Sequence, residues 1–148
     1  MNNKTINGFE KDQVFQLYSY LVAYEDSGIQ NYKSTKALLG DHPELSDLKT
    51  QINAVNCSVS NSADMKNVDF KILHNEIYFT KNQGNLLLSF LAHLRNAIAH
   101  GTVVKHGDSI LITDFENPRF RPIDFTARGC VDFEIVNGFT RILNCVVL

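Results

Sequence analysis

The stretch 86-LLLSFLAHLRNAIAH-100 constrains this fold more than any other part of the chain. Leu87, Leu91, Leu94 and Ile98 make one helical stripe, and Leu86, Phe90 and Ala97 make a second beside it. Together they leave little surface for water, so the helix has to be covered on most sides. Asn85 is placed to cap its start and Gly101 to end it in a left-handed turn. The last two turns nevertheless carry His93, Arg95, Asn96 and His100. Burying such groups costs free energy unless they are paired or line a polar cleft.

The rest of the chain reads mostly as helices that can cover this one. Residues 10 to 26 put Val14, Leu17, Tyr18, Leu21 and Val22 on one face, with Gly28 as a stop signal. A short helix ending near Gly40 is expected in 31-NYKSTKALLGDHP-43. Another starts at Pro43, capped by Asp41 or His42, and keeps its spacing through Leu45, Leu48, Ile52 and Val55. The polar run 56-NCSVSNSAD-64 reads as a loop. Residues 65 to 79 read as helix in their first part, through Val68, Ile72 and Leu73, with 76-EIYFT-80 open to an extended form. After the apolar helix the period changes: 102–105 and 109–115 form a small hairpin around Gly107. A last helix over 130–147 would bury Phe133, Val136, Phe139, Ile142, Leu143 and Val146, with Gly138 marking a close helix–helix approach. The sum is one domain over 1–148, mainly α: a four- to five-helix bundle with a small β-hairpin after the apolar helix.

Composition excludes several classes. The chain has 148 residues, 44% hydrophobic and 20% charged, ordinary for a soluble globular domain with a real core. A net charge of -2 supplies no bulk attraction to nucleic acid, so any RNA binding has to come from a local site. The five arginines, Arg95, Arg119, Arg121, Arg128 and Arg141, all fall in the second half, where they favour a phosphate-facing surface or are solvated charges. Cys57, Cys130 and Cys145 are scattered and odd in number, which fits neither a disulfide framework nor a zinc ribbon and points to a reducing cytosol. The N-terminal MNNKTINGFEKDQ lacks the apolar centre of a signal peptide, and no apolar run is long enough to span a bilayer, so a cytoplasmic location is expected. No metal-ligand cluster, Walker loop or dinucleotide fingerprint is present, and no cofactor is expected. His42 and His74 lack partners at ligand spacing, and His106 sits in a turn.

The polar end of the apolar helix is suited to phosphate chemistry. Histidine titrates near neutrality and serves as acid or base. Arginine stays charged and forks onto phosphate oxygens. Asn96 can hydrogen-bond a ribose or orient a partner. Asn96 and His100 lie roughly 40° apart around the helix, and His93 joins that face as either a cleft residue or a satisfied core histidine. Arg95 lies roughly 140° around and about 7 Å along from His100, so one helix does not aim both at a single atom. A two-fold dimer can bring one copy's arginine to the other's histidine. Alternatively, Arg95 is a salt-bridged helix residue and His100 is a helix-end histidine favoured by the macrodipole.

Arg95, Asn96 and His100, with four residues between arginine and histidine, resemble the Arg-x4–6-His motif of the HEPN superfamily, and HLRNAIAHG is similar to stand-alone bacterial members linked to plasmids and defence. The close likeness covers about fifteen residues. It implies a helical bundle, an antiparallel homodimer and a metal-independent endoribonuclease that uses 2′-OH attack, acting in toxin–antitoxin or phage defence, with an antitoxin or other partner protein. In that expectation His100 is the acid/base, Arg95 clamps phosphate, Asn96 orients the substrate, and His93, Arg119 and Arg121 extend substrate binding. The alternative within the same family is a non-catalytic module that binds a nucleotide or a partner protein.

Overall fold

The structure is a computed structural model describing residues 7–69, 72–80, 85–115 and 125–146. Its elements run α1 (Lys11–Ser27), α2 (Thr35–Asp41), α3 (Asp47–Ile52), β1 (Asn56–Val59), α4 (Ser62–Met65), β2 (Glu76–Phe79), α5 (Leu86–Ala99), β3 (Val103–His106), β4 (Ser109–Phe115), β5 (Phe125–Asp132) and α6 (Phe133–Leu143), with short 3-10 turns at Ile29–Asn31 and Pro43–Leu45.

The expected mainly-α bundle is overturned. Among the described residues the strands form one five-stranded mixed sheet in the order β1-β2-β5-β4-β3, with β1 parallel to β2 and every other pair antiparallel. The hairpin after the motif helix is present as β3–β4, but it is one edge of this sheet and not an isolated ornament.

Three stretches account for the difference. The run 56–59, read as loop, is an edge strand whose side chains are mostly exposed, so it carries no apolar alternation to detect. Among the described residues of 65–79 there is no long helix: α4 stops at Met65, Ile72 stands 80% exposed, and 76–79 pairs with both β1 and β5. The last helix begins at Phe133 rather than at residue 130, because Phe125–Asp132 is the strand at the centre of the sheet. Ala127, Gly129 and Val131 alternate there with Thr126, Arg128 and Cys130, a period of two that small residues make faint. Gly129 is required at its position: a Cβ would lie 2.5 Å from the Glu76 carbonyl oxygen and 2.7 Å from the Ile77 Cα.

The core lies between one face of the sheet and helices α1, α3, α5 and α6. Ile110 and Ile112 of β4, Ala127 and Val131 of β5, and Ile77 and Phe79 of β2 share that face and are fully buried. On the other face α4 covers part of β5, where Arg128 donates to the Met65 carbonyl. Helix α5 is the central helix, as its sequence requires, with nine of its fourteen residues buried. Asn85 caps it by accepting from the Leu88 N–H at 3.1 Å while Thr35 donates to the same oxygen. Each buried leucine there contributes about 2 kcal/mol.

Helix α1 forms where expected but is rotated about a third of a turn from its predicted inner face. Leu17, Tyr20, Ala23, Tyr24 and Ser27 are buried, whereas Tyr18 and Val22 are exposed. The two tyrosines displace the aliphatic stripe because a phenol can be buried if its hydroxyl is satisfied. Tyr20 donates to the Leu91 carbonyl at 2.7 Å. Helix α6 passes close to α3 at Gly138, where the Gln51 side chain crosses and donates to the Ile135 carbonyl.

Candidate functional site

The end of α5 is fixed by a Schellman turn. Gly101, at φ 71°, donates to Ile98, and Thr102 donates to Ala97. Thr102 also places its hydroxyl on the Ala97 and Thr113 carbonyls, tying the turn to β4. His100 is therefore held at the C-cap, one residue past the helix, with its backbone N–H on the Asn96 carbonyl. Its side chain is exposed and makes no hydrogen bond or ion pair among the described residues.

Arg95 and Asn96 sit one turn earlier and are half-buried. Arg95 places Nε and Nη2 each 2.9 Å from Glu25 Oε1 at the C-terminal end of α1, and Nη1 donates to Asn96 Oδ1 at 3.1 Å. The Asn96 amide nitrogen turns inward and donates to Asp114 Oδ2 at 3.4 Å. His93, one turn further back, is buried, with Nδ1 2.9 Å from the same Asp114 oxygen. Asp114 is 2% exposed, and its other oxygen accepts the Phe115 N–H. A continuous chain of five side chains thus runs from solvent to core: Glu25, Arg95, Asn96, Asp114, His93.

Register explains why Asp114 lies under the motif. Asp114 and Phe79 both pair with Ala127, from opposite sides of β5, so the three form one row across the sheet on the face that α5 covers. His93 stands over this row, its ring 5.5 Å from that of Phe79. With Nδ1 facing a carboxylate, Nε2 is left buried without a partner among the described residues.

The electrostatics around Arg95 follow from its neighbours. Burial raises the Tyr20 phenol well above its ordinary value, with Tyr24 adding to the shift and the Arg95 charge opposing it. Burial raises Tyr24 too, again opposed by Arg95. The guanidinium therefore lies beside two neutral phenols and one carboxylate.

Of the residues named from sequence, the structure joins Arg95, Asn96 and His93 through Asp114 and leaves His100 apart from them. His93 is a core histidine paired to a carboxylate rather than a cleft residue. Arg119 and Arg121 lie outside the described residues. Asp114 and Glu25 escaped sequence reading: Asp114 stands in an apolar strand pattern, 109-SILITDF-115, where a buried acid is the unusual element. That oddity was the available signal.

Other polar clusters serve the fold. His42 pairs with Glu44 at 3.1 Å. Asp132 accepts from Ser109 Oγ at 2.6 Å and Asn75 Nδ2 at 3.0 Å, with His74 Nε2 at 3.2 Å. The Ser109 hydrogen bond foremost, with those of Asn75 and His74, holds the Asp132 carboxyl below the usual range against the opposing effect of burial. Burial pushes the Cys57 thiol up to about 12, so it is not a reactive thiolate. Among the described residues, no helix is long and apolar enough to cross a membrane.

In comparisons with known proteins, no family model, curated protein or solved structure matches the chain.

Proposed function

We propose that this chain is a metal-independent endoribonuclease of HEPN type, acting on RNA in the cytosol at a cleft completed by a second copy, in toxin–antitoxin or phage defence. The motif supports this reading and the fold does not, since a mixed sheet replaces the bundle that the resemblance implied. The observation that carries it is the state of the motif. His100 is exposed and unengaged at a rigid helix end, while Arg95 is held at the surface one turn away by Glu25 and Asn96.

In the reaction, a His100 imidazole takes the proton from a ribose 2′-OH, whose oxygen attacks the adjacent phosphorus. The 5′-oxygen leaves and takes a proton from an imidazolium. Arg95 holds the charge that builds on the phosphate oxygens. The products are a 2′,3′-cyclic phosphate and a 5′-hydroxyl. The imidazolium formed in the first transfer is the acid for the second, so each shared site needs one His100 and one Arg95.

A second copy has a surface to meet. Phe15, Tyr18 and Val22 on α1 are 73%, 58% and 58% exposed and lie on one face at helical spacing. An exposed apolar stripe of this kind is a protein-contact feature, and it leads along α1 to Glu25, which holds Arg95.

The Glu25–Arg95 pair also favours a second reading, a non-catalytic module that binds a nucleotide or a partner protein. The fork that would grip a scissile phosphate already grips a carboxylate. Incubating the purified chain with RNA separates the two. Cleavage that survives EDTA, leaves cyclic phosphate ends and disappears in His100→Ala supports the nuclease. Cleavage abolished by EDTA, or retained in His100→Ala, contradicts it. Nucleotide binding without any cleavage supports the module.

A further inference from the structure

We infer that Asp114 is the positioning residue of the motif: through Asn96 it sets the direction in which Arg95 presents its guanidinium. As a statement about catalysis this rests on the nuclease reading above; as a statement about geometry it does not.

An ionised carboxylate only accepts hydrogen bonds, so whatever faces Asp114 has to donate. Asn96 has two chemically opposite ends, an NH2 that donates and an oxygen that accepts. With Asp114 Oδ2 3.4 Å from Nδ2, the amide oxygen has to point outward, and there it meets Arg95 Nη1 at 3.1 Å. Were the amide reversed, two donors would face each other at Arg95 and two acceptors at Asp114. The buried charge is thus transmitted as an orientation to a half-exposed arginine.

His93 sharpens the arrangement. It holds the same Asp114 oxygen at 2.9 Å, shorter than the Asn96 contact, and the Phe115 N–H holds the other oxygen at 3.0 Å. The carboxylate is fixed from strand and helix alike before Asn96 reaches it. A side chain with a purely local packing role has no need of this. An apolar residue in the row with Ala127 and Phe79 would avoid the desolvation cost altogether. With Glu25 fixing Nε and Nη2 from the other side, the guanidinium plane is set on both flanks.

The test uses the full chain labelled with nitrogen-15. In Asp114→Asn the Arg95 Nε–H and Asn96 side-chain amide resonances should move, and Arg95 Nε–H should exchange with solvent about fivefold faster. Asn96→Ala should shift Arg95 and, because His93 and Asn96 share Asp114 Oδ2, the His93 ring nitrogens as well; adding Asp114→Asn to it should move Arg95 no further. Asp132→Asn, a variant of equal charge change at the other end of the sheet, should leave Arg95 untouched. Unmoved Arg95 and Asn96 signals in Asp114→Asn, or an undiminished further shift in the double variant, would overturn the inference. Should Asp114→Asn fail to fold, Asn96→Ala decides alone: an unmoved Arg95 signal, or an unmoved His93 ring, refutes the chain. Where the wild type cleaves RNA, Asp114→Asn should lower kcat about tenfold with KM within about twofold. A wild type that cuts no RNA ends the nuclease reading and leaves the spectroscopic result standing.

Discussion

Two aspartates lie at opposite ends of neighbouring central strands, and they do different work. Asp132 ends β5 and starts α6. Its partners, Ser109, Asn75 and His74, lie at or beside the starts of β4 and β2, so it fastens three chain segments together at one corner. Asp114, near the end of β4, is almost fully enclosed, and its side-chain partners both come from α5. The Asp132 contacts close on themselves. Those of Asp114 continue outward through Asn96 to Arg95. Similar hydrogen-bond counts therefore mean different things: one carboxylate holds a joint, and the other aims a side chain.

Strand β5, which Asp132 ends and which pairs with Asp114 through Ala127, gives the largest expected effect. Gly129→Ala places a methyl against the β2 backbone and should cost about 3 kcal/mol in urea unfolding. A loss under about 1 kcal/mol would mean that β2 does not lie where the sheet places it. Asp114→Ala strands the donors of His93 and Asn96 in the core and should cost about 2 kcal/mol, measured the same way. Asp132→Asn should cost less, about 1 kcal/mol at neutral pH, and should also change the acid response. The folded Asp132 carboxyl titrates below its ordinary value, so its stabilisation is complete above the unfolded pKa of about 4 and disappears as pH falls through the lower folded value. The variant should show a correspondingly shallower loss of stability in acid, read from melts between about pH 2 and pH 5. Smallest is Glu25→Gln: the exposed pair with Arg95 is worth under about 1 kcal/mol, so the melting curve should barely move. Its binding of inorganic phosphate should strengthen, as judged by calorimetry, because the arginine fork is released.

The same contrast shows what could be read from sequence. Helix α5, its Asn85 cap and its Gly101 terminator were legible because a dense apolar pattern with polar punctuation has few other interpretations. The β3–β4 hairpin was legible from its turn. The rest of the sheet was not. Strand β1 shows water most of its side chains, and β5 builds its inner face from Ala127, Gly129 and Val131, whose small side chains give little hydrophobic signal. The face of α1 follows Leu17, Tyr20, Ala23 and Tyr24 instead of the aliphatic stripe because the Tyr20 hydroxyl is satisfied by a helix carbonyl in the core, a contact that is not local in sequence. At the site, Arg95, Asn96 and His100 could be named from spacing, whereas Asp114 and Glu25 could not be assigned to them. Their proximity depends on strand register and on helix rotation, and neither is local in sequence.

The proposed catalytic cleft is shared between two copies, with Arg95 from one and His100 from the other. Mixing Arg95→Ala and His100→Ala chains, each inactive alone, tests it most directly. After random exchange half the dimers are mixed, and each mixed dimer holds one intact shared site, so RNA cleavage should return to roughly a quarter of the wild-type rate. A mixture as inactive as its components would contradict the shared cleft.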